Sequence, residues 1–533
     1  MRLPLLSLLL SISAFAQGQL GSTATPASVP TQPYKDESPI VTLHEITLNG
    51  QPLKYKATAG TLPIRNPAGE PEAGLFYVAY TVEGTPNRAL CIAFNGGPGA
   101  GSLWLHLGAI GPRRIRMNDD GSMPAAPYRL EDNQGTWLDK CDLVFVDPVG
   151  TGFSRATKIE TARKFNSFTG DIDSVAEFIR LYLARNNRFS SPLFLAGESY
   201  GTTRAAGLSG ALASRGIALN GVVLISSILN FQTARFTKGN DLPFALFIPT
   251  YTAAAWYHKK IDPAYQKDLK AALKEARIFA EGEYATALMK GDRLTPAERD
   301  AIASKLGKLT GMSKSFLLKN DLRIEIQRFI KELRREEGIT VGRLDSRLTG
   351  TDGDQGAATV EFDPSAAAIL PPYTHAMNQY VRDELQFKTD AIYFALGGGI
   401  LPWDYSSAQN QFADTSNALR SAFDRNPFMK VFVANGYYDL ATPFFATEYT
   451  FAHMGLAPKH RLQTTMKEYE AGHMMSLVSK LAFENRLGQP PDRVKKFLQE
   501  FNFTRTETTH GTSIQHFQSD SPVSSPTTVR QGC

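Results

Sequence analysis

Leu193-Phe-Leu-Ala-Gly-Glu-Ser-Tyr-Gly201 is an apolar run that breaks at two glycines flanking a serine. Leu193–Ala196 predicts a buried strand, and Thr202–Ser214, rich in Ala and Leu, predicts a helix. A serine at the tip of a strand-to-helix turn needs a strained backbone, and side chains on either side would collide with neighbouring elements, which explains the glycines. The helix N-terminus then aims partial positive charge at the place where an anion would form. Such a string also arises by chance in glycine-rich turns, so its meaning depends on partners elsewhere in the chain.

At 533 residues, with 42% hydrophobic and 20% charged residues, the chain suits a globular α/β protein carrying insertions. A net charge of +5 is small over that length, and no basic stretch is interleaved with stacking aromatics, so nothing points to nucleic acid. Met1-Arg2, the apolar run Leu3–Phe15 and the Ala14-Phe15-Ala16 cleavage site predict a signal peptide over residues 1–16, too short to be a membrane anchor. The expectation is an exported protein, periplasmic or extracellular, that no longer touches the membrane once the signal is cut. Export permits disulfides, but only Cys91, Cys141 and Cys533 are present. Cys91 and Cys141 open apolar strand-like runs and read as buried free thiols, with a bridge between them as the alternative.

Residues 17–38 are rich in Ser, Thr, Pro, Ala and Gln and read as a disordered linker. Val41–Leu48, running into Asn49-Gly50, and Leu75–Val82 read as antiparallel strands opening a sheet. Ala89–Phe94, Leu143–Val146, Val222–Ile225 and Val431–Ala434 are continuous apolar runs, as in central strands covered on both faces. Phe168–Asn186 carries apolar residues at helical spacing, and a last strand lies around Leu462–Glu468. Residues 236–373 change character: charged, helix-forming, with a capping box at Thr295-Pro-Ala-Glu298. They predict a mostly helical cap insertion, with Gly350–Asp354 as a mobile loop. The catalytic domain is then residues 39–235 and 374–503, closed by a helix at Arg493–Phe501, and 504–533 is a disordered tail.

A serine hydroxyl needs a base to take its proton, and the base needs an acid to hold its tautomer. A strand, Gly-x-Ser-x-Gly and helix in succession form the nucleophile elbow of α/β-hydrolases, where chain order is Ser, acid, His. Of nine histidines, His473 stands in a Gly-His loop directly after a strand, whereas His453 and His460 flank a helical stretch and read as surface residues. Asp439 follows the Val431–Ala434 strand inside Asn435-Gly-Tyr-Tyr-Asp. The predicted triad is Ser199, Asp439 and His473. The oxyanion hole would combine the N–H of Tyr200 with that of Gly97 in Asn95-Gly-Gly-Pro-Gly. No metal or cofactor is implied.

Asn95-Gly-Gly-Pro-Gly, Asp147-Pro-Val-Gly-Thr-Gly-Phe-Ser154, Gly197-Glu-Ser-Tyr-Gly, Asn435-Gly-x-x-Asp439 and Ala471-Gly-His-Met474, in this order, resemble the serine carboxypeptidase family. The resemblance implies an α/β-hydrolase with a mostly parallel sheet, acting on peptides from the C-terminus through an acyl-enzyme. It also implies that Asn95 and Glu198 bind the substrate's terminal carboxylate, which requires a protonated Glu198, because an ionised one would repel it. The chain departs from the family at Ala109, where a second glutamate should precede Gly111-Pro112; at Ala100-Gly101, in place of Cys-Ser; and at Phe94, in place of Trp. Without the second carboxyl, the like-charge interaction that raises Glu198's pKa is expected to be lost. Two other readings stay open: an esterase or acyltransferase on the same scaffold, and a non-catalytic exported binding protein.

Overall fold

A computed structural model describes residues 30–84 and 87–475. The predicted signal peptide, residues 17–29 of the linker, the helix at Arg493–Phe501 and the tail with Cys533 lie outside the described residues. Nine strands build the main sheet: β1 (Ile40–Leu48), β2 (Gln51–Arg65), β3 (Pro71–Thr81), β4 (Leu90–Phe94), β5 (Asp142–Val146), β6 (Leu193–Glu198), β7 (Gly221–Ile225), β8 (Lys430–Gly436) and β9 (Thr464–Tyr469). Their order is β1-β2-β3-β5-β4-β6-β7-β8-β9, and a two-residue strand, Arg155–Ala156, joins the side of β3. Pairing is antiparallel from β1 to β5 and parallel from β5 to β9.

Asn49 (φ +51°) and Gly50 (φ +77°) turn β1 into β2 with two left-handed residues, the geometry that matches strand twist in a tight hairpin. Strand β2 was hidden in the sequence, because Pro52, Gly60 and Pro63 interrupt its alternation. In β3, Phe76, Val78 and Tyr80 face one side while Tyr77 and Ala79 face the other; in β4, Cys91 and Ala93 part in the same way from Leu90, Ile92 and Phe94. The sheet therefore has two apolar faces, and every residue of β4, β5 and β6 is buried. Cys91 and Cys141 are free and buried on the first face.

Eight helices matter here: α1 (Phe168–Arg185), α2 (Tyr200–Ser214), α3 (Ile248–Tyr257), α4 (Leu269–Phe279), α5 (Pro296–Thr310), α6 (Pro364–Asp383), α7 (Ser416–Arg425) and α8 (Phe444–His453). Helices α1, α2 and α7 cover the second face, and α6 lies on the first. Helices α3, α4 and α5, all from the stretch between β7 and β8, share a third core with α8 and with Tyr438 and Leu440. Helix α5 starts at the anticipated capping box, with Thr295 and Glu298 each satisfying the other's backbone N–H. Two expectations need correction. Helix α6 runs through residue 373, where the insertion was expected to end. Gly350–Asp354 is not a loose loop: Thr349–Thr351 pairs with Ile339–Val341, and Asp352 forms an ion pair of 2.7 Å with Lys331 in which both side chains are 2% exposed.

Strand order reverses at β4, which has β5 on one side and β6 on the other. In open parallel sheets that reversal opens a crevice at the C-terminal ends of the strands. Here it places the loop after β4, starting at Asn95, beside the turn after β6, which carries Ser199.

Candidate active site

Ser199 caps α2 with φ +61° and ψ −130°, a region that side-chain-bearing residues rarely occupy. Its N–H is tied at 3.0 Å to Ile225 O of β7, and the residue is half-buried. The neighbouring glycines are needed by contact. A Cβ on Gly197 would strike the carbonyl of Gly201, and one on Gly201 would lie 2.8 Å from Phe94 O. Gly96 is held as closely from the other loop: a Cβ there would collide with Tyr200 N and sit 2.8 Å from Gly201 N. The loop after β4 thus lies directly on the first turn of α2. Among the described residues, the N–H groups of Gly97 and Tyr200 donate to no acceptor. For Tyr200, at the start of a helix, this is the ordinary state, and it leaves a donor available.

Arg204, fully buried in α2, locks the two loops together. Its Nε reaches Asp171 Oδ2 at 2.8 Å, its Nη1 donates to Asn95 O at 2.6 Å, and it lies over the rings of Phe94 and Tyr200. Two opposed charges buried this way stand only while both are present.

His473 and Asp439 lie together: Nδ1 is 2.7 Å from Asp439 Oδ2. No hydrogen bond joins Ser199 Oγ to His473, and such contacts commonly close only around substrate. Asp439 is fully buried, and its other interactions fix it: Oδ1 accepts from Ala441 N at 2.7 Å and Thr442 N at 3.1 Å, and Thr442 Oγ1 donates to Oδ2 at 2.7 Å. Burial pulls His473's pKa down, but the charge and hydrogen bond of Asp439, with Glu198 adding, outweigh it and leave it raised.

Several groups that hold this pair escaped the sequence reading. Thr442 had a signal, since an Asp followed by Thr three residues later is a side-chain-to-backbone turn pattern. Ser226, in a left-handed conformation after β7, donates to His473 O at 2.6 Å. The segment Arg343–Arg347 crosses both loops: Arg343 O accepts from Leu440 N at 3.0 Å, Leu344 O from His473 N at 2.6 Å, and Ser346 N donates to Tyr438 O at 3.0 Å. His460, expected at the surface, is 1% exposed and stacks on Phe423, so it is a core residue; His453 is exposed.

Asn95 Nδ2 donates to Glu198 Oε1 at 2.7 Å, while its Oδ1 accepts from Leu105 N at 2.9 Å. Glu198 is 5% exposed. Its burial raises its pKa to about 7; Asp439 adds to the rise, while His473 and the Asn95 hydrogen bond pull against it. The expectation drawn from Ala109 is corrected to this extent: desolvation, with Asp439 adding, raises the carboxyl although no second glutamate stands at Ala109. Among the described residues, no cluster of three His, Cys, Asp or Glu side chains is arranged to hold a metal ion.

The family model described as serine carboxypeptidase matches residues 49–486. The chain is 33% identical over 156 residues to pheromone-processing carboxypeptidase KEX1 of Saccharomyces cerevisiae, a match covering 27% of this chain and 20% of that protein. It is 30% identical over 155 residues to serine carboxypeptidase-like 12 of Arabidopsis thaliana, covering 28% of this chain and 33% of the relative. These matches span no more than about a third of either relative. The crystal structure of the yeast prohormone-processing carboxypeptidase superposes with a TM-score of 0.52 at 16% identity, over 84% of this chain and 91% of that one, and establishes the α/β-hydrolase fold. With the family match running from the first hairpin past His473, the chain belongs to the serine carboxypeptidase family.

Proposed function

We propose that this protein is an exported serine-type carboxypeptidase that releases C-terminal residues from peptides through an acyl-enzyme. Ser199 Oγ attacks the scissile carbonyl. Asp439 occupies Nδ1 of His473, which leaves Nε2 to take the serine proton and later deliver it to the departing amine. The N–H groups of Gly97 and Tyr200 stabilise the oxyanion, and water activated by His473 then releases the acyl group. Nothing in the charge or sequence pattern calls for nucleic acid as a partner, and no helix among the described residues is long and apolar enough to cross a membrane.

One observation favours a peptide's free C-terminus over a simple ester: the buried Asn95–Glu198 pair beside Ser199, whose carboxyl keeps its proton up to about 7. Protonated Glu198 and the second N–H of Asn95 both donate to a carboxylate at that position. The test compares an N-blocked dipeptide with its C-terminal amide and with a simple ester, while phosphonate labelling of Ser199 on a separate sample checks the nucleophile. Preference for the free acid is the expected result. Equal rates on acid and amide would move the protein to the esterases or acyltransferases, and inertness of the folded protein toward all three would leave a binding role. Export predicts that the mature protein begins at Gln17.

A further inference from the structure

Tyr373 of α6 packs against the segment that carries Gly108 and Ala109, the place where the family's second carboxyl is missing. Its residue is 1% exposed, and its ring belongs to the same apolar cluster as Trp104, Leu105 and Leu107, with Ala109 packed against it. The phenol oxygen lies 2.5 Å from where a Cβ on Gly108 would stand, so glycine at 108 makes room for this hydroxyl. The segment Leu105–Ile110 begins at the Asn95 side chain, and Asn95 is in turn bonded to Glu198. The tyrosine is thus connected to Glu198 through this segment and Asn95, and the charge of Glu198 acts on the phenol.

Buried hydroxyls normally find partners. Elsewhere in the same cluster they do: Tyr80 Oη meets Tyr380 Oη at 2.9 Å and His106 Nε2 at 2.5 Å. Among the described residues, the Tyr373 hydroxyl makes no hydrogen bond. Burial raises its pKa further above the ordinary phenol value, so it is a neutral O–H donor at any working pH.

We propose that the Tyr373 hydroxyl donates a hydrogen bond to the terminal carboxylate of the peptide, replacing the second acid absent at Ala109. The assignment rests on the carboxypeptidase reading and adds a specificity-determining residue to it. Chemically, a phenol supplies the donor without a second negative charge, so recognition of the carboxylate depends on the titration of Glu198 alone.

The test is Tyr373→Phe, assayed on the N-blocked dipeptide, its amide and the ester. A lost hydrogen bond to a charged group should raise KM for the free acid about tenfold, with kcat little changed and both uncharged substrates unaffected. Gly108→Ala, which displaces the hydroxyl while leaving it on the ring, should produce the same selective loss. Phosphonate labelling of Ser199 at the wild-type rate verifies that each variant is folded. If the wild type prefers the free acid and Tyr373→Phe keeps that preference, the Tyr373 assignment fails and the carboxypeptidase reading stands. Equal loss on all three substrates also overturns it, since that marks a structural tyrosine. A wild type with no preference for the free acid overturns both.

Discussion

A carboxyl that must donate a hydrogen bond works only while protonated, and Glu198 is buried deeply enough to hold its proton to about 7. His473 must do the opposite and lose its proton before it can act as base, and its pKa is raised by Asp439. For the free-acid substrate, kcat/KM should therefore rise as His473 deprotonates and fall again as pH passes 7 and Glu198 ionises against the carboxylate. For the amide, only the rise should be seen. Glu198→Gln keeps a neutral donor at every pH, so its free-acid profile should lose the alkaline fall while keeping the acid limb. A pH–rate series on both substrates checks this, and an alkaline limb that survives in Glu198→Gln would assign it to another group. The residues of this argument could be read from the chain because each carries a local constraint. Glycines surround Ser199 where Cβ atoms would collide, Asp439 follows an apolar strand, and His473 stands in a Gly-His loop after the last strand. What could not be read is the environment of Glu198: depth of burial is a property of the packed sheet and its cover, and no pattern around Gly197 encodes it.

At the scale of elements, the segment Arg343–Arg347 does for His473 and Asp439 what Arg204 does for the elbow. It holds both loops through backbone groups, and Arg347 adds a side-chain clamp. Its Nη2 pairs with Asp345 at 2.6 Å, its Nη1 donates to Glu470 O at 3.2 Å, and the guanidinium lies over the ring of Tyr438. Asp345 in turn presses against Gly472, where a Cβ would lie 2.5 Å from its side chain. Arg347→Ala leaves Asp345 buried and unpaired next to the histidine loop. Misplacing His473 by a fraction of an ångström should lower kcat about ten- to a hundredfold with KM little changed. Arg347→Lys should recover part of the loss. Steady-state kinetics on the wild type and the two variants decide it, and a change confined to KM would refute a positioning role. This element was invisible beforehand, since a carbonyl such as Leu344 O has no signature and its partner lies over a hundred residues away. Strand β2 was missed for a different reason: its prolines and glycine argued against a strand that its two neighbours impose.

Across the whole molecule, pH acts through buried groups of opposite sense. Burial raises Glu198 to about 7 and Asp147 to about 6. Burial and the neighbouring Glu468 push Glu448 up to about 8, where Arg277 of α4 spans both carboxyls and ties the stretch between β7 and β8 to α8 and β9. A carboxyl raised on folding binds more protons in the native state, so its stabilisation is complete below its unfolded value and is lost as pH climbs through the folded one. His473, also raised, follows the same sign. His106 goes the other way: buried against Phe145, it falls to about 3, so charging it on unfolding costs native stability once pH drops below the ordinary histidine range. Burial also lowers His44 and His258. Above about pH 7 the lowered histidines are mostly neutral in both states, and raised groups such as Glu198, Glu448 and His473 set the slope. Thermal midpoints should therefore rise as pH falls from 8 to about 7, then level as the histidines oppose the remaining carboxyls. Glu448→Gln, which cannot ionise, should lose part of that slope while keeping the direction set by Glu198. Melting the wild type and Glu448→Gln in steps from pH 5 to 8.5 measures both, and a midpoint that climbs toward pH 8 would overturn the assignment of raised carboxyls as the groups in control.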